Sequence, residues 1–234
     1  MKHLLISLFL LTSLSAEITT FNEEYLKTTQ TSKMKKLFVE ILLPAIELSN
    51  ANILKERLFI KEFFIKYDTV MPEKNDLEKF KKIAKKYYIK KDIYSQRAFM
   101  ERINTIPNSL AIAQGAVESA WGKSRFAQVA NNIFGVWTWG KVGIIPAERP
   151  EGKKYKIRIF KTLGDSVAFY MLNLNRHKSY KEFRALRFKY NKENKPFTGL
   201  VASTTMQNYS GIGEEYNHLL KKMILSNKWD RLDK

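Results

Sequence analysis

The chain has no cysteine among its 234 residues. That excludes disulfides, thiolate metal sites and a lipid-modified cysteine. Stability must then come from a hydrophobic core, which a chain of this length can bury. Histidine is nearly as scarce, at positions 3, 177 and 218. A His-based metal site is poorly supplied, so no metal and no other cofactor is expected. A Gly-rich phosphate loop and a nucleophile elbow are both missing, as is any internal repeat. Acidic side chains are outnumbered: 23 Asp and Glu against 41 Lys and Arg give a formal charge of +18. Such an excess favours polyanionic partners, whether nucleic acid, anionic lipid or anionic cell wall, and does not choose among them.

Long apolar runs are confined to the N-terminus. Met1-Lys2-His3 is a short basic start, Leu4 to Leu14 is nearly continuous apolar sequence, and the small residues Ser13, Ser15 and Ala16 follow. This is the layout of a secretory signal over residues 1–16, too short to span a bilayer as a helix. No later segment approaches eighteen apolar residues. The mature chain is therefore expected to be exported to the periplasm or cell envelope, as a monomer without stable membrane insertion. Nucleic acid is not an expected partner, because the signal argues against it and no recognition motif accompanies the lysines.

Past the signal, the patterning is mostly helical. Residues 17–32 are polar and Thr-rich and read as a frayed leader. From Lys33 to Tyr67 apolar residues recur three and four apart (Leu37, Ile41, Leu42, Ile46, then Leu54, Leu58, Phe59, Phe63), interrupted near Pro44 and Asn50 to Asn52. One kinked helix or two consecutive helices both fit. Asn75 or Asp76 is placed to cap a lysine-rich helix running to about Tyr88, and Ser95 to Arg102 reads as a short helix. Pro107-Asn108-Ser109 opens another, with Leu110, Ala113 and Val117 on its buried stripe. Between Asn132 and Phe160, Gly, Pro and aromatics cluster and Tyr155 to Phe160 alternates with a period near two, which fits a small β lobe. Helical patterning returns at Gly164 to Arg176, Tyr180 to Tyr190 and Gly213 to about Ser226. The expected organisation is an N-terminal helical region over 17–92 and a second domain over 93–234.

The chemistry is concentrated in one stretch. A helix rich in small residues, with Ala111, Ala113, Gly115 and Ala116, ends on a carboxylate, Glu118, just before Trp121-Gly122. The negative end of a helix disfavours an ionised carboxylate, and apolar walls push its pKa the same way. A carboxyl held neutral near pH 7 can protonate a departing glycosidic oxygen. By spacing alone, a Glu near a helix end is usually just exposed. A larger pattern changes that reading. Leu110-Ala-Ile-Ala-Gln114, Glu118-Ser119-x-Trp121-Gly122 and Asn131-Asn132-Ile133-Phe134-Gly135 together resemble the glucosaminidase domains of glycoside hydrolase family 73, in its Bax-like branch of exported bacterial proteins. Gly143 to Pro146, Arg149 to Lys153, Asp165-Ser166-Val167, Tyr170 to Arg176 and Tyr209-Ser210-x-x-Gly213-x-x-Tyr216 agree, so the similarity covers roughly Ile103 to Leu225.

The resemblance implies a mainly α, or α+β, lysozyme-like domain with a small β lobe, preceded by N-terminal helices. It implies an endo-β-N-acetylglucosaminidase that cleaves the bond after N-acetylglucosamine in peptidoglycan glycan strands. Glu118 stands at the position of the family's acid. For the second group the lobe offers Glu148 and Glu151, of which Glu151 fits the branch better. Either would activate water, or the substrate's acetamido oxygen would attack instead. Tyr209 matches a cleft tyrosine and completes the expected catalytic set. Trp121, Asn132, Phe134, Trp137, Trp139, Glu148 and Tyr216 are the expected substrate contacts, although aromatics are more often core and Asn132 fits a turn-shaping role. A lytic transglycosylase or an N-acetylmuramidase on the same fold is the nearest alternative, but the Gly-Leu-Met-Gln run usual in transglycosylases is replaced here by Asn-Asn-Ile-Phe-Gly. A non-catalytic wall-binding scaffold is the alternative of another class.

Overall fold

The computed structural model describes residues 20–233, so the expected signal segment lies outside the described residues. The architecture is mainly α, lysozyme-like, with helices packed on a central helix and one small β lobe at the side. That central helix is α5 (Asn108–Glu118), and every side chain from Ser109 to Ala116 is buried. A helix apolar on all sides is one that neighbours surround, and its small residues let them come close. A Cβ on Gly115 would lie only 3.3 Å from Ile133 and 3.5 Å from Leu42.

The helix α2 (Thr31–Lys66) runs unbroken for 36 residues through Pro44, one helix rather than two. It packs most extensively on α7 (Leu163–Arg176) and also on α5. Its inward face is Phe38, Leu42, Ile46, Ile53, Ile60 and Phe63. Leu54 and Leu58, which the periodicity counts with the apolar stripe, are exposed. The shift follows Asn50, whose amide donates to the Ile106 carbonyl and to Asn108 and accepts from the Ile106 N–H, tying α2 to the entrance of α5. By length and composition α2 could cross a membrane, with an 18-residue window of mean hydropathy 1.5. This corrects the expectation that no later segment comes near that test. The inward face of the helix is occupied by the protein's own core.

The remaining helices are α1 (Glu23–Lys27), α3 (Lys74–Lys86), α4 (Gln96–Arg102), α6 (Arg125–Ala130), α8 (Lys181–Lys192), α9 (Gly199–Ala202) and α10 (Glu214–Ser226). Ser95 caps α4 as expected, but neither Asn75 nor Asp76 caps α3. Its N-cap is Glu73, and Asp76 instead accepts from Lys66 and Tyr67. Residues 20–32 are not frayed. Asn22 caps α1, and Phe21 and Tyr25 are buried against Phe38. Polar composition hid two aromatic anchors. The β lobe is minimal: β1 (Trp137–Thr138) pairs antiparallel with β2 (Lys156–Ile157), Trp137 opposite Ile157, and Ile144 bridges to Ile157 as well.

Two polar locks hold α5 and the segment that leads into it. Its N-terminus has no side-chain cap of its own. The carboxylate of Asp233, from the far end of the chain, accepts from the Ser109 N–H and hydroxyl and from the Gly199 N–H. An anion there suits both the orphan donors and the helix dipole. Nearby, the buried guanidinium of Arg187 donates to four carbonyls just past and within the last turn of α4, at Glu101, Arg102, Asn104 and Thr105. Burial pushes its pKa down to about 9.

Candidate active site

Glu118 is the last residue of α5, and the chain leaves it through an unusual turn. Ala120, Trp121 and Gly122 all have positive φ, at 49°, 60° and 69°. For residues with a Cβ this costs energy and needs support from outside. Ser119 supplies part of it, donating to the Gly115 carbonyl at 2.6 Å and accepting from the Gly122 N–H at 2.6 Å. Tyr25 supplies more, its hydroxyl donating to the Trp121 carbonyl. The Phe21 ring lies so close on Gly122 that a Cβ there would sit 2.4 Å from it.

The carboxyl of Glu118 is partly buried, and its two oxygens differ. Oε1 accepts a 2.6 Å hydrogen bond from the Tyr216 hydroxyl on α10. Oε2 has no such partner and is not among the side-chain atoms sealed from solvent. Beside it lies Gly135, where a Cβ would come within 3.5 Å of Oε2, at a φ of 63°. Glycine there keeps a side chain off this oxygen. Burial raises the Glu118 pKa, and the Tyr216 hydrogen bond offsets part of that rise. Desolvation favours the acid, and a donor aimed at the carboxylate favours the anion.

Behind Tyr216 runs a buried relay with a fixed direction. Tyr170 donates to Gln114 Oε1 at 2.6 Å. The Gln114 amide donates to the Tyr216 oxygen at 3.2 Å. With that lone pair taken, the Tyr216 proton points to Glu118. Gln114 and Glu118 sit four residues apart on one face of α5. Gln114 and Tyr170 stand in the matching motifs, but nothing in the sequence marked them as site residues. A fully buried glutamine in an otherwise apolar helix is the signal that could have found them.

The other expected residues divide into body and surface. Asn132 is buried, and its amide donates to the Val136 and Arg158 carbonyls while accepting from the Val136 N–H. Its hydrogen-bonding capacity shapes the lobe where a substrate contact was expected. Phe134 is buried too, stacked face to face on Tyr170 at 3.9 Å, so its ring is no open sugar platform. Trp121 faces the N-terminal helices, wedged between Phe38 and Trp229 with the Lys35 ammonium over it. Tyr216 is buried and meets Glu118. Tyr209 stacks parallel to Tyr216 at 5.7 Å and donates its hydroxyl to the Phe134 carbonyl. By contrast Trp137 and Trp139 are 51% and 72% exposed, and Trp137 stacks on Tyr155 at 4.3 Å. Glu148 and Glu151 are exposed on turns of the lobe, free of ion pairs among the described residues.

No solved structure matches the chain. It is 30% identical over 201 residues to the protein Bax of Escherichia coli, a match covering 83% of this chain and 70% of that protein. Residues 94–228 match a family model described as mannosyl-glycoprotein endo-β-N-acetylglucosaminidase, a span that holds Glu118, the relay behind it and the whole β lobe. The chain belongs to this glucosaminidase family.

Proposed function

We propose that the protein is an endo-β-N-acetylglucosaminidase that cuts peptidoglycan strands, with Glu118 as the general acid. The observation that carries this reading is the asymmetry of the Glu118 carboxyl. One oxygen is held by a buried phenol and the other is free beside a glycine, in surroundings that raise the pKa. In the reaction, Oε2 gives its proton to the glycosidic oxygen as the C1–O bond breaks. The carboxylate left behind is stabilised by the Tyr216 hydroxyl, so the donor that lowers the pKa also lowers the barrier to proton release. Water takes the anomeric carbon from the opposite face. Glu151 is the base we assign to that water, an exposed carboxylate on a turn of the β lobe. The exposed Trp137 ring, backed by the half-buried Tyr155, offers a face for sugar C–H groups. An apolar N-terminal segment and the cationic surface suit an enzyme exported to an anionic wall.

The test is a zymogram on purified peptidoglycan with wild type and Glu118→Gln, followed by mass spectrometry of the products. Clearing by wild type alone, with reducing N-acetylglucosamine ends, is the expected outcome. Equal clearing by both proteins would refute Glu118 as the acid. Anhydro-muramic ends would instead make the protein a lytic transglycosylase, and no clearing by either would point to a scaffold. For the base, Glu151→Gln should abolish release of an inverted product anomer, seen by NMR immediately after mixing.

A further inference from the structure

A cavity of about 360 Å³ opens where the end of α7 meets the loop after α3. Its lining is Tyr88, Lys90, Arg102, Arg176, His177 and Lys178, with no carboxylate among them. None of the four cations forms an ion pair among the described residues. The two arginines are nevertheless held in place. Arg102 donates to the Tyr87 and Arg176 carbonyls at 3.2 and 2.8 Å. The Arg176 guanidinium lies over the Tyr88 ring at 4.6 Å, and its Nη1 donates to the Lys86 carbonyl at 3.4 Å. Positive charge fixed by backbone and ring contacts, and left without a counter-ion, is a preorganised anion site.

The cavity is linked to the acid by a run of rings. His177 lies 5.9 Å from Tyr180, Tyr180 lies 5.9 Å from Tyr209, and Tyr209 lies 5.7 Å from Tyr216, which holds Glu118. A strand bound over Glu118 carries peptides whose side chains and termini end in carboxylates. The geometry points to this cavity as the site that takes the carboxylates of a stem peptide on the strand being cut. This assignment rests on the reading of the protein as a peptidoglycan hydrolase. The occupant is anionic by charge complementarity, and the cavity has room for a group bearing two carboxylates rather than for a folded partner.

His177 reports on occupancy. Its pKa is lowered by burial, then by Lys178 beside it, by Arg184 of α8 and by Arg176 of α7. Arg184 also donates to the His177 carbonyl, and the neutral Tyr180 ring faces it. An anion among these cations raises the histidine's titration midpoint. The experiment is an NMR titration of the full-length protein with a free stem tripeptide, following the imidazole signals. It needs no hydrolysis, so a failure of peptide binding and a failure on the zymogram are read separately. The expected result is a saturable shift of His177 with its midpoint moving up. A peptide with amidated carboxylates should bind weakly, and Lys90→Glu with Lys178→Glu should weaken the free peptide by about tenfold or more. No movement of His177, equal binding of the amidated peptide, or movement with inorganic phosphate alone would overturn the assignment.

Discussion

Replacing Tyr216 with Phe removes one oxygen from the core and tests the proton donor directly. The hydroxyl donates to Glu118 Oε1 at 2.6 Å and accepts from the Gln114 amide at 3.2 Å. A hydrogen bond to a charged partner is worth about 1.5–3 kcal/mol. Without it the carboxylate loses stabilisation that the neutral acid needs less, so the already raised pKa of Glu118 rises further. The group required in protonated form then stays protonated to higher pH. The alkaline limb of the kcat/KM profile moves up. The carboxylate formed as the proton leaves is also less stable, so kcat falls by about tenfold to a hundredfold if the transition state feels the whole interaction. Separately, the Gln114 amide is left with an unsatisfied buried donor, costing about 1–3 kcal/mol of stability at any pH. Initial rates on glycan strands across pH, with thermal melts at each pH, measure all three. An alkaline limb that stays in place or moves down, in a variant that folds, would refute Glu118 as the acid held by Tyr216.

Three further outcomes follow from the same geometry. Because burial raises the Glu118 pKa, folding favours its proton, and the cost of the buried charge is absent below the unfolded pKa and complete above the folded one. Glu118→Gln is therefore expected to melt higher than wild type at pH 8, with the gap closing as pH falls through that window. Gly135→Val places a β-branched side chain at positive φ, 3.5 Å from Oε2 at its Cβ. Hydrolysis should be lost while circular dichroism shows the helices intact. Phe21→Ala removes a ring that is 3% exposed. A loss of about 3–5 kcal/mol in a denaturant titration is expected, far more than a frayed leader would show.

Much of the fold was legible because its signals are local. Helical periodicity marks α2, α7, α8 and α10 within a residue or two of their ends, and Ser95 and Pro107 mark the starts of α4 and α5. What stayed hidden was set by distant contacts. The Asp233 carboxylate that caps α5 lies 124 residues from Ser109, and no spacing rule connects them. Phe21 and Tyr25 sit in a polar stretch too short for a periodic signal. Glu118 stood out through its helix end and the surrounding motif. The aromatic residues around it did not sort themselves, since Phe134 and Trp137 look alike in sequence, yet one is stacked in the core and the other half open to solvent. Gln114 carried a readable anomaly, a polar side chain amid alanines. Its partners were beyond reach, because Tyr170 and Tyr216 arrive from helices 56 and 102 residues away.

The N-terminal residues bear on the site through the turn that follows Glu118. Two non-glycine residues in the left-handed region cost about 1–3 kcal/mol each, and such strain persists only where its surroundings hold it. Here the supports come from two directions. Ser119 closes the turn from within, while Tyr25, Phe21 and Lys123, whose ammonium donates to the Thr28 carbonyl, fasten it to residues 20–28. Trp121, pressed between Phe38 and Trp229, joins that fastening to α2 and to the C-terminal end of the chain. A relaxed turn would let the last turn of α5 unwind, and Glu118 is its last residue. Its carboxyl would then swing away from Tyr216 and into water, losing both the desolvation that raises its pKa and the hydrogen bond that aims its proton. The small residues of α5, the left-handed turn and the docked N-terminal aromatics thus serve one end: keeping a carboxyl at the boundary between core and solvent, with one oxygen on each side.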